Sequence, residues 1–557
     1  MVLDGVNPFP KEFADLYYKN GFWSGITFGE MLDQSSELYG DHEAVVAGKV
    51  RLTYRELKEL SDRTAIVFLK LGLRKKDRVL LQIPNWAEFA YLYYGLHKMG
   101  AIPVMCLPRL SQREIEHFCS ITQASTWIVP RRYEKIDYLS MIGSVRSNQP
   151  SLEHILIIDA PGQPVGPLPS GTWSFHNLLK DITSEERQRY DLRSFKPDPE
   201  EVCHFMPTGG TTGLSKLVPR THNDYLCNVV NRTKVWLRVT DDITLIATPV
   251  THNMAIEVSL NPTLLSGGKV VMLPSTRTRD ILAAIQKERV TTMILVPAQL
   301  QQIVDFPELS QFDVSSLKVI AGAGSHVAAE LTKKVHEKLG CRFYNVFGMS
   351  EGPCTQTRWD DPEEVVAHTV GWPICPHDEF KVIDEAGREL AQGEEGELVA
   401  RGPCIFRGYF KAEAANREVF TPDGFFRTGD LAKFDREKRI VITGRKKDII
   451  IRGGENISAT EVEELISEHP KVEQVAVIGM PDPILGERAC AYIKPRKGVT
   501  ISFEEVTALL KEKKASILLF PERIEPVEEL PFTNVGKVDK KKLREEIKEK
   551  LKKEGKI

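Results

Sequence analysis

Thr208-Gly209-Gly210-Thr211-Thr212-Gly213-Leu214-Ser215-Lys216 is the run of the chain best composed to hold an anion. Three glycines let backbone N–H groups turn toward a negative charge. The threonines and serine add hydroxyl donors, and Lys216 adds a point charge. The run is not a Walker A loop, because Lys216 follows Ser215 and precedes Leu217 instead of ending a GxxxxGK[ST] pattern. GxGxxG is absent as well, so a dinucleotide fingerprint is not suggested. The preceding Val202-Cys203-His204-Phe205-Met206-Pro207 reads as a strand. That puts the loop at a strand end, where open α/β sheets bind ligands. The plain alternative is a flexible polar loop; the composition favours phosphate.

Three charged residues stand in short patterned contexts: Glu351 after Phe347-Gly348-Met349-Ser350, Asp430 after Thr428-Gly429, and Lys537 closing Pro531-Phe532-Thr533-Asn534-Val535-Gly536-Lys537. Each also has a plain reading. Glu351 could be a surface acid and Asp430 a turn aspartate. Lys537 opens a tail with ten Lys/Arg against five Asp/Glu, which reads as a solvated terminal helix.

The elements that must position these groups read as layered α/β structure. Leu52 to Leu73 carries apolar residues at helical spacing that stop near Gly72. RVLLQIP, ended by Pro84, reads as a buried strand. WAEFAYLYYGLHKMG reads as a helix ending at Gly100, and AIPVMCL as the next strand. The alternation recurs from Asp280 to Leu300 and from LKVIAGAG through AAELTKKVHEKLG to CRFYNVFG. Such alternation predicts largely parallel sheets covered by helices. After about residue 375 the texture changes to alternating residues with turn signals at 384–387 and 393–396, a small antiparallel unit. A helix from Thr460 to Ser467, the strands VEQVAVIGM and ACAYIKP, and the Lys-rich tail follow. The expected fold class is therefore α/β, with a large N-terminal lobe over 1–446 and a small α+β C-terminal domain over 447–557.

Composition excludes several classes. The 557 residues carry 74 Lys/Arg against 77 Asp/Glu, a net −3 with no bulk basic field for nucleic acid. Hydrophobic residues at 42% and charged residues at 27% are ordinary globular usage. The N-terminal MVLDGVNPFPKEF lacks the apolar run of a signal peptide, and no membrane span is expected. Nine dispersed cysteines form no CxxC, so neither a zinc ribbon nor a redox pair is suggested. They read as buried small hydrophobes in a cytoplasmic protein.

Five motifs, in order over nearly the whole chain, resemble those of the adenylate-forming superfamily of acyl-CoA synthetases, adenylation domains and luciferases. They are the loop 208–216, Tyr344-Asn345-Val346-Phe347-Gly348-Met349-Ser350-Glu351, Thr428-Gly429-Asp430, Gly444-Arg445-Lys446-Lys447-Asp448 with Arg452-Gly453-Gly454-Glu455-Asn456-Ile457, and 531–537. The resemblance implies ATP and Mg²⁺ as cofactors and a carboxylic acid joined to the α-phosphate with loss of pyrophosphate. It assigns the β- and γ-phosphates to the loop Thr208–Lys216, the metal to Glu351, and an α-phosphate contact to Ser350. Asn345, Phe347, Gly348 and Met349 belong to the nucleotide motif, and Ala323-Gly324-Ser325 offers small residues against which adenine could lie. Asp430 with Arg445 would hold the ribose, and Lys537 would bridge carboxylate and α-phosphate. Thr208 and Glu351 join Lys537 in the catalytic set. Lys447 occupies the hinge position, and Arg452, Gly453 and Gly454 would approach the thiol after the C-terminal domain rotates.

Within that superfamily the likeness is to 2,3-dihydroxybenzoate–AMP ligases and related aryl-acid activators. PFPKEFADLYYKNGFW, His252-Asn253, DDPEE and MPDPILGER carry it. The acid-facing set is then His252, Asn253, Met254, Val258, Gly324 and Gly348; a helix-capping role is the alternative for Asn253. Met254, where dihydroxybenzoate ligases usually have Tyr, removes a partner for a catechol and favours an apolar aromatic or alicyclic ring. The acceptor is expected to be CoA, with a carrier-protein phosphopantetheine as the alternative, in siderophore-like biosynthesis of the dihydroxybenzoate or salicylate type. The reaction could run in reverse, and a homodimer stands open.

Overall fold

The computed structural model describes every residue except 1–2, 161–165, 209–214, 326, 453–454, 514 and 534–535. Two large sheets dominate the N-terminal part. In the nine-stranded sheet, six strands run in parallel: Glu43–Ala47, Lys269–Met272, Ile243–Ile246, Thr292–Leu295, Val319–Gly322 and Arg342–Gly348. Antiparallel strands close both edges. The seven-stranded sheet is parallel except for Leu217–Thr221, which folds back antiparallel onto Val202–Pro207.

The helices form where the sequence provides starts, stops and an apolar face. Tyr54–Lys70 begins at a reciprocal cap in which Thr53 and Glu56 satisfy each other's backbone donors. Ala87–Met99 ends at Gly100, whose φ of +73° is the left-handed stop a glycine supplies without cost. All residues of Ala87–Met99 are buried, because the helix packs against strands of both sheets. The shared core joins Phe28, Phe68, Phe89, Tyr93 and Met105 with Tyr225 and Ile256.

The change of texture after residue 375 corresponds to a four-stranded antiparallel sheet: Glu379–Ile383, Gly396–Arg401, Phe426–Phe434 and Ile440–Arg445. A separate five-stranded sheet begins at Ile449 and is covered by Ala459–Ser467, Phe503–Glu512 and Lys540–Lys553. This is the smaller C-terminal domain, with its own core around Val462, Val477 and Ile493. No helix among the described residues is long and apolar enough to cross a membrane.

Candidate active site

The functional candidates collect at the carboxyl ends of the parallel strands, where backbone leaves the sheet and ligands can approach. Val319–Gly322 and Arg342–Gly348 lie in register, Gly322 opposite Asn345. Gly324 and Ser325 follow the first strand; Met349, Ser350 and Glu351 follow the second. Gly348 is the tight exit, since a Cβ there would sit 2.9 Å from Cys354 Sγ.

Glu351 is buried, and burial raises its pKa. The Tyr409 hydroxyl, donating to its carboxylate at 2.8 Å, works in the opposite direction. The Glu351 carbonyl accepts from Phe406 N at 2.8 Å. Arg220, fully buried, braces the same turn. Its Nε pairs with Asp224 at 2.6 Å, while its terminal nitrogens donate to the Ser350 and Cys404 carbonyls at 2.8 Å. Lys216 Nζ lies 4.9 Å from the Tyr409 ring centroid, so Tyr409 stands between the end of the glycine-rich loop and Glu351. At the base of that loop, Thr208 N donates to the Lys216 carbonyl at 2.8 Å and Lys216 N to Thr208 Oγ1 at 3.1 Å. Gly209, Gly210, Thr211, Thr212 and Gly213, on which the phosphate-loop expectation falls, lie outside the described residues.

Asp430 and Arg445 are directly opposed across neighbouring antiparallel strands. Arg445 Nε approaches Asp430 Oδ1 at 2.8 Å. Asp430 Oδ2 is buried with no hydrogen-bond partner in the structure. Burial raises the pKa of this carboxyl, against the pull of Arg445 and Lys537. A buried carboxylate oxygen left unpartnered costs free energy until a donor arrives. A ligand hydroxyl is such a donor.

Lys537 reaches into the same space from the C-terminal domain. A Cβ on Gly324, whose φ is +90°, would lie 3.6 Å from Lys537 Cε. Burial first, then the charges of Arg445 and Lys447, bring its pKa down to about 8; Asp430 and Glu351 oppose them. Its own loop is closed by Thr533, whose N donates to the Lys537 carbonyl at 2.7 Å and whose Oγ1 accepts from Lys537 N at 3.2 Å. Glu351, Asp430, Arg445, Lys447 and Lys537 thus share one electrostatic neighbourhood.

On the other side of Lys537 lies an apolar wall. Met254–Leu260 winds as a π-helix, a rare form frequent at functional sites. Met254 and Val258 pack there with Trp236, Val296, Ala323 and Tyr344. His252 is kept neutral: burial and then Lys537 bring its pKa down to about 4, and its Nδ1 accepts from Met254 N at 3.2 Å. Asn253 makes no side-chain cap bond, which corrects the capping alternative. It is buried, and its Oδ1 accepts from the Tyr225 hydroxyl at 2.8 Å. With the oxygen engaged by Tyr225, the amide N–H₂ is the group able to donate to a ligand. Beneath the wall, Arg232 pairs with Glu257 at 3.2 Å and donates to Gln356 at 2.6 Å.

Other expected residues stand further from this centre or serve their neighbours. The Asn345 amide donates to the Val366 carbonyl at 3.3 Å. Phe347 leans on the core of the antiparallel sheet and Met349 on the main core. Ser325 is exposed. Lys447 lies in the short turn Lys446–Asp448, its pKa lowered by burial and Arg445. Arg452 is not brought to the site: it pairs with Glu522 inside the C-terminal domain. Gly453 and Gly454 lie outside the described residues. Arg220, Tyr225, Trp236 and Tyr409 belong to the site but stand in none of the sequence motifs. A GYF triplet in a loop is the sole local signal for Tyr409.

A fold of this kind with this pair of lobes defines an adenylate-forming enzyme, and the comparisons agree. The AMP-binding enzyme family matches residues 32–410, and the AMP-binding enzyme C-terminal domain matches residues 461–537. The chain belongs to that family, whose members use ATP and Mg²⁺. It is 40% identical to the 2,3-dihydroxybenzoate-AMP ligase of Bacillus subtilis, over 99% of each chain. It is 36% identical to a salicylyl-CoA synthase / salicylate adenylyltransferase of a Streptomyces species, over 98% of each. The apo structure of MbtA from Mycobacterium smegmatis superimposes with a TM-score of 0.73 at 34% identity, covering 97% of this chain and 98% of that one. The resemblance read from the motifs therefore holds, including its aryl-acid branch.

Proposed function

We propose that this chain joins a ring carboxylic acid to ATP, releases pyrophosphate, and passes the acyl group from the acyl-adenylate to CoA. The observation that carries the first step is Lys537 lying against Gly324, within the electrostatic reach of the Asp430–Arg445 pair and Glu351. Two anions must meet for a carboxylate to attack the α-phosphate, so fixed positive charge at that point lowers the barrier. Lys537 bridges carboxylate and α-phosphate oxygens as an ammonium. Asp430 Oδ2 accepts from a ribose hydroxyl while Arg445 holds Oδ1. Residues 208–216 cradle the outer phosphates, with Thr208 and Lys216 closing the loop at its base. Asn345, Phe347, Gly348, Met349 and Ser350, with Gly324 and Ser325, flank adenine and the α-phosphate.

The donor chemistry at Glu351 fits Mg²⁺: a buried carboxylate with one hydroxyl on it keeps an oxygen for a hard cation. When bound there, Mg²⁺ supplies neutralisation of the phosphate charge. Tyr409 orients the carboxylate that would hold it.

The acid lies against Met254 and Val258, between Gly324 and Gly348. Tyr225 fixes the Asn253 amide so that it donates, which supports an acceptor atom on the ring beside the carboxylate. Neutral His252 adds no second cation to Lys537. A singly ortho-substituted benzoate such as salicylate, the acid of the Streptomyces relative, meets both demands: one polar group for Asn253 and an otherwise apolar ring. That relative is a salicylyl-CoA synthase, which supports CoA as the thiol. For the second step, the segment after residue 446 rotates about Lys447, withdraws Lys537 and presents Arg452, Gly453 and Gly454.

The test is mass-spectrometric detection of acyl-CoA and AMP with ATP, Mg²⁺, CoA and a panel of salicylate, benzoate, 2,3-dihydroxybenzoate and cyclohexene carboxylate. Salicylate is expected to exceed benzoate at least about tenfold in kcat/KM, and Asn253→Ala to erase that difference, as loss of one hydrogen bond implies. Retained acyl-AMP with no CoA product would move the acceptor to a carrier protein.

A further inference from the structure

Three cysteines distant in sequence converge away from the reacting groups. Cys227 belongs to the helix His222–Val235, Cys375 follows the strand Trp372–Pro373, and Cys404 follows Gly396–Arg401. All three are buried, and their sulfurs lie within 4.8 Å of one another. The sequence reading as separate small hydrophobes did not foresee this, because no CxxC spacing announces it. A tetrahedral Zn²⁺ about 2.3 Å from each sulfur needs S···S separations near ~3.8 Å, within reach of small side-chain adjustments.

A second observation points to a ligand. Asp378, three residues after Cys375, is 6% exposed. Its Oδ1 accepts from Cys404 N at 3.2 Å, and its Oδ2 is buried without a partner. The carboxyl interacts with the thiols of Cys404 and Cys375. Gly402 makes room for it, since a Cβ there would sit 2.2 Å from Asp378 Oδ1. Ala14, Tyr17 and Trp23 wall the cluster off, and Trp23 Nε1 fastens the wall to the Pro403 carbonyl at 3.0 Å. Three buried thiols offer the soft sulfur that zinc takes; the orphaned carboxylate oxygen of Asp378 lies outside their 4.8 Å group and must swing inward to add one hard donor.

We propose that Cys227, Cys375 and Cys404 form a Zn²⁺ site separate from the Mg²⁺ position at Glu351, which Asp378 completes as fourth ligand by a side-chain shift toward the ion. Binding releases the thiol protons to solvent and leaves three thiolates and a carboxylate on the ion, with the buried guanidinium of Arg220 beside Cys404 offsetting part of the negative charge. The centre ties the helix His222–Val235 to the loop 402–406. That loop also holds the Glu351 carbonyl through Phe406, so the ion braces the catalytic turn without touching substrate.

The test uses the untagged, reduced full-length chain, stripped of metal and titrated with Co²⁺ and then Zn²⁺. About one Co²⁺ per chain is expected, with thiolate-to-cobalt charge-transfer absorption and the intense visible bands of a tetrahedral ion, both displaced by Zn²⁺. Cys375→Ser and Cys227→Ser should abolish the bands. Cys203→Ser, from the buried group His97–Cys203–His204, should leave them. X-ray absorption of the zinc-loaded wild type should count three sulfurs and one oxygen, a readout that stands even where a serine variant does not fold. No charge-transfer band, a shell of nitrogen and oxygen only, loss of the band in Cys203→Ser alone, or a thiol titration two short of nine that reveals a disulfide overturns the site.

Discussion

Glu351 and Asp430 sit on elements fixed from several sides, whereas Lys537 sits on a loop fastened chiefly to itself. Behind Glu351 stand Tyr409, Phe406 and the fully buried Arg220; behind Asp430 stands a strand register that sets Arg445 opposite it. Lys537 has Thr533 at its back and a mixed set of charges around it, Arg445 and Lys447 against Asp430 and Glu351. The contrast teaches a division of labour. The acidic half of the site is part of the fold, made once and kept. The basic half stands on the C-terminal domain, where burial and the charges of Arg445 and Lys447 bear on Lys537 against those of Asp430 and Glu351; the proposed rotation would use that separation to withdraw a group needed in one half-reaction only.

The largest effect should come from the brace of the fixed half. Arg220→Met strands Asp224 without its partner and frees the Ser350 and Cys404 carbonyls. Loss of one member of a fully buried pair costs about 3–5 kcal/mol. Urea unfolding should register that loss, and Arg220→Met with Asp224→Leu should recover part of it. A cost under about 1 kcal/mol would mean the acidic half is no better anchored than a surface ion pair.

Next comes Lys537. Lys537→Ala should slow adenylation by about 10²–10³-fold, the usual loss for one preorganised charge donor. It should leave thermal stability nearly unchanged and largely spare CoA thioester formation from supplied acyl-AMP. Equal loss in both half-reactions would break the comparison, because Lys537 would then be as permanent as Glu351.

Tyr409→Phe sharpens the comparison within the fixed half. A hydroxyl donating to a carboxylate contributes about 1.5–3 kcal/mol. Its removal should raise the Mg²⁺ concentration for half-maximal pyrophosphate release by about tenfold or more, with little change in KM for the acid. A change in the acid's KM alone would detach Tyr409 from Glu351.

What could be read in advance follows the same division. Alternation of helix and strand was legible because burial in stacked layers demands it: Ala87–Met99 is buried all round and packs against strands of both sheets. Motif residues such as Gly324, Gly348 and Glu351 were singled out through the resemblance of their short runs to a known family, and the structure brings Gly324 next to Lys537. Arg220 was not, because its meaning lies in carbonyls 130 and 184 residues away, and no period or spacing encodes such a contact. The same holds for Cys227, Cys375 and Cys404. Asn253 was ambiguous for a different reason: a short amide before a helix satisfies the capping pattern, and only Tyr225 shows where its oxygen is spent.

The smallest expected effect separates the two halves by pH. With its pKa brought down to about 8, Lys537 loses its proton in the free enzyme as pH rises through that value. ATP binding favours the ammonium, so above that point binding must also take up a proton, and KM for ATP should rise by up to about tenfold per pH unit. Lys537→Arg keeps its charge throughout this range, so its KM should stay flat where that of the wild type climbs. The acid limb belongs to the other half. Burial raises the pKa values of Glu351 and Asp430, so protonation should weaken Mg²⁺ and ATP binding at a higher pH than ordinary carboxylates would allow. Lys537→Arg should leave that acid limb where it was. If the substitution moved both limbs together, the carboxylates and the lysine would titrate as one unit, and the separation between a fixed acidic half and a delivered basic one would fail.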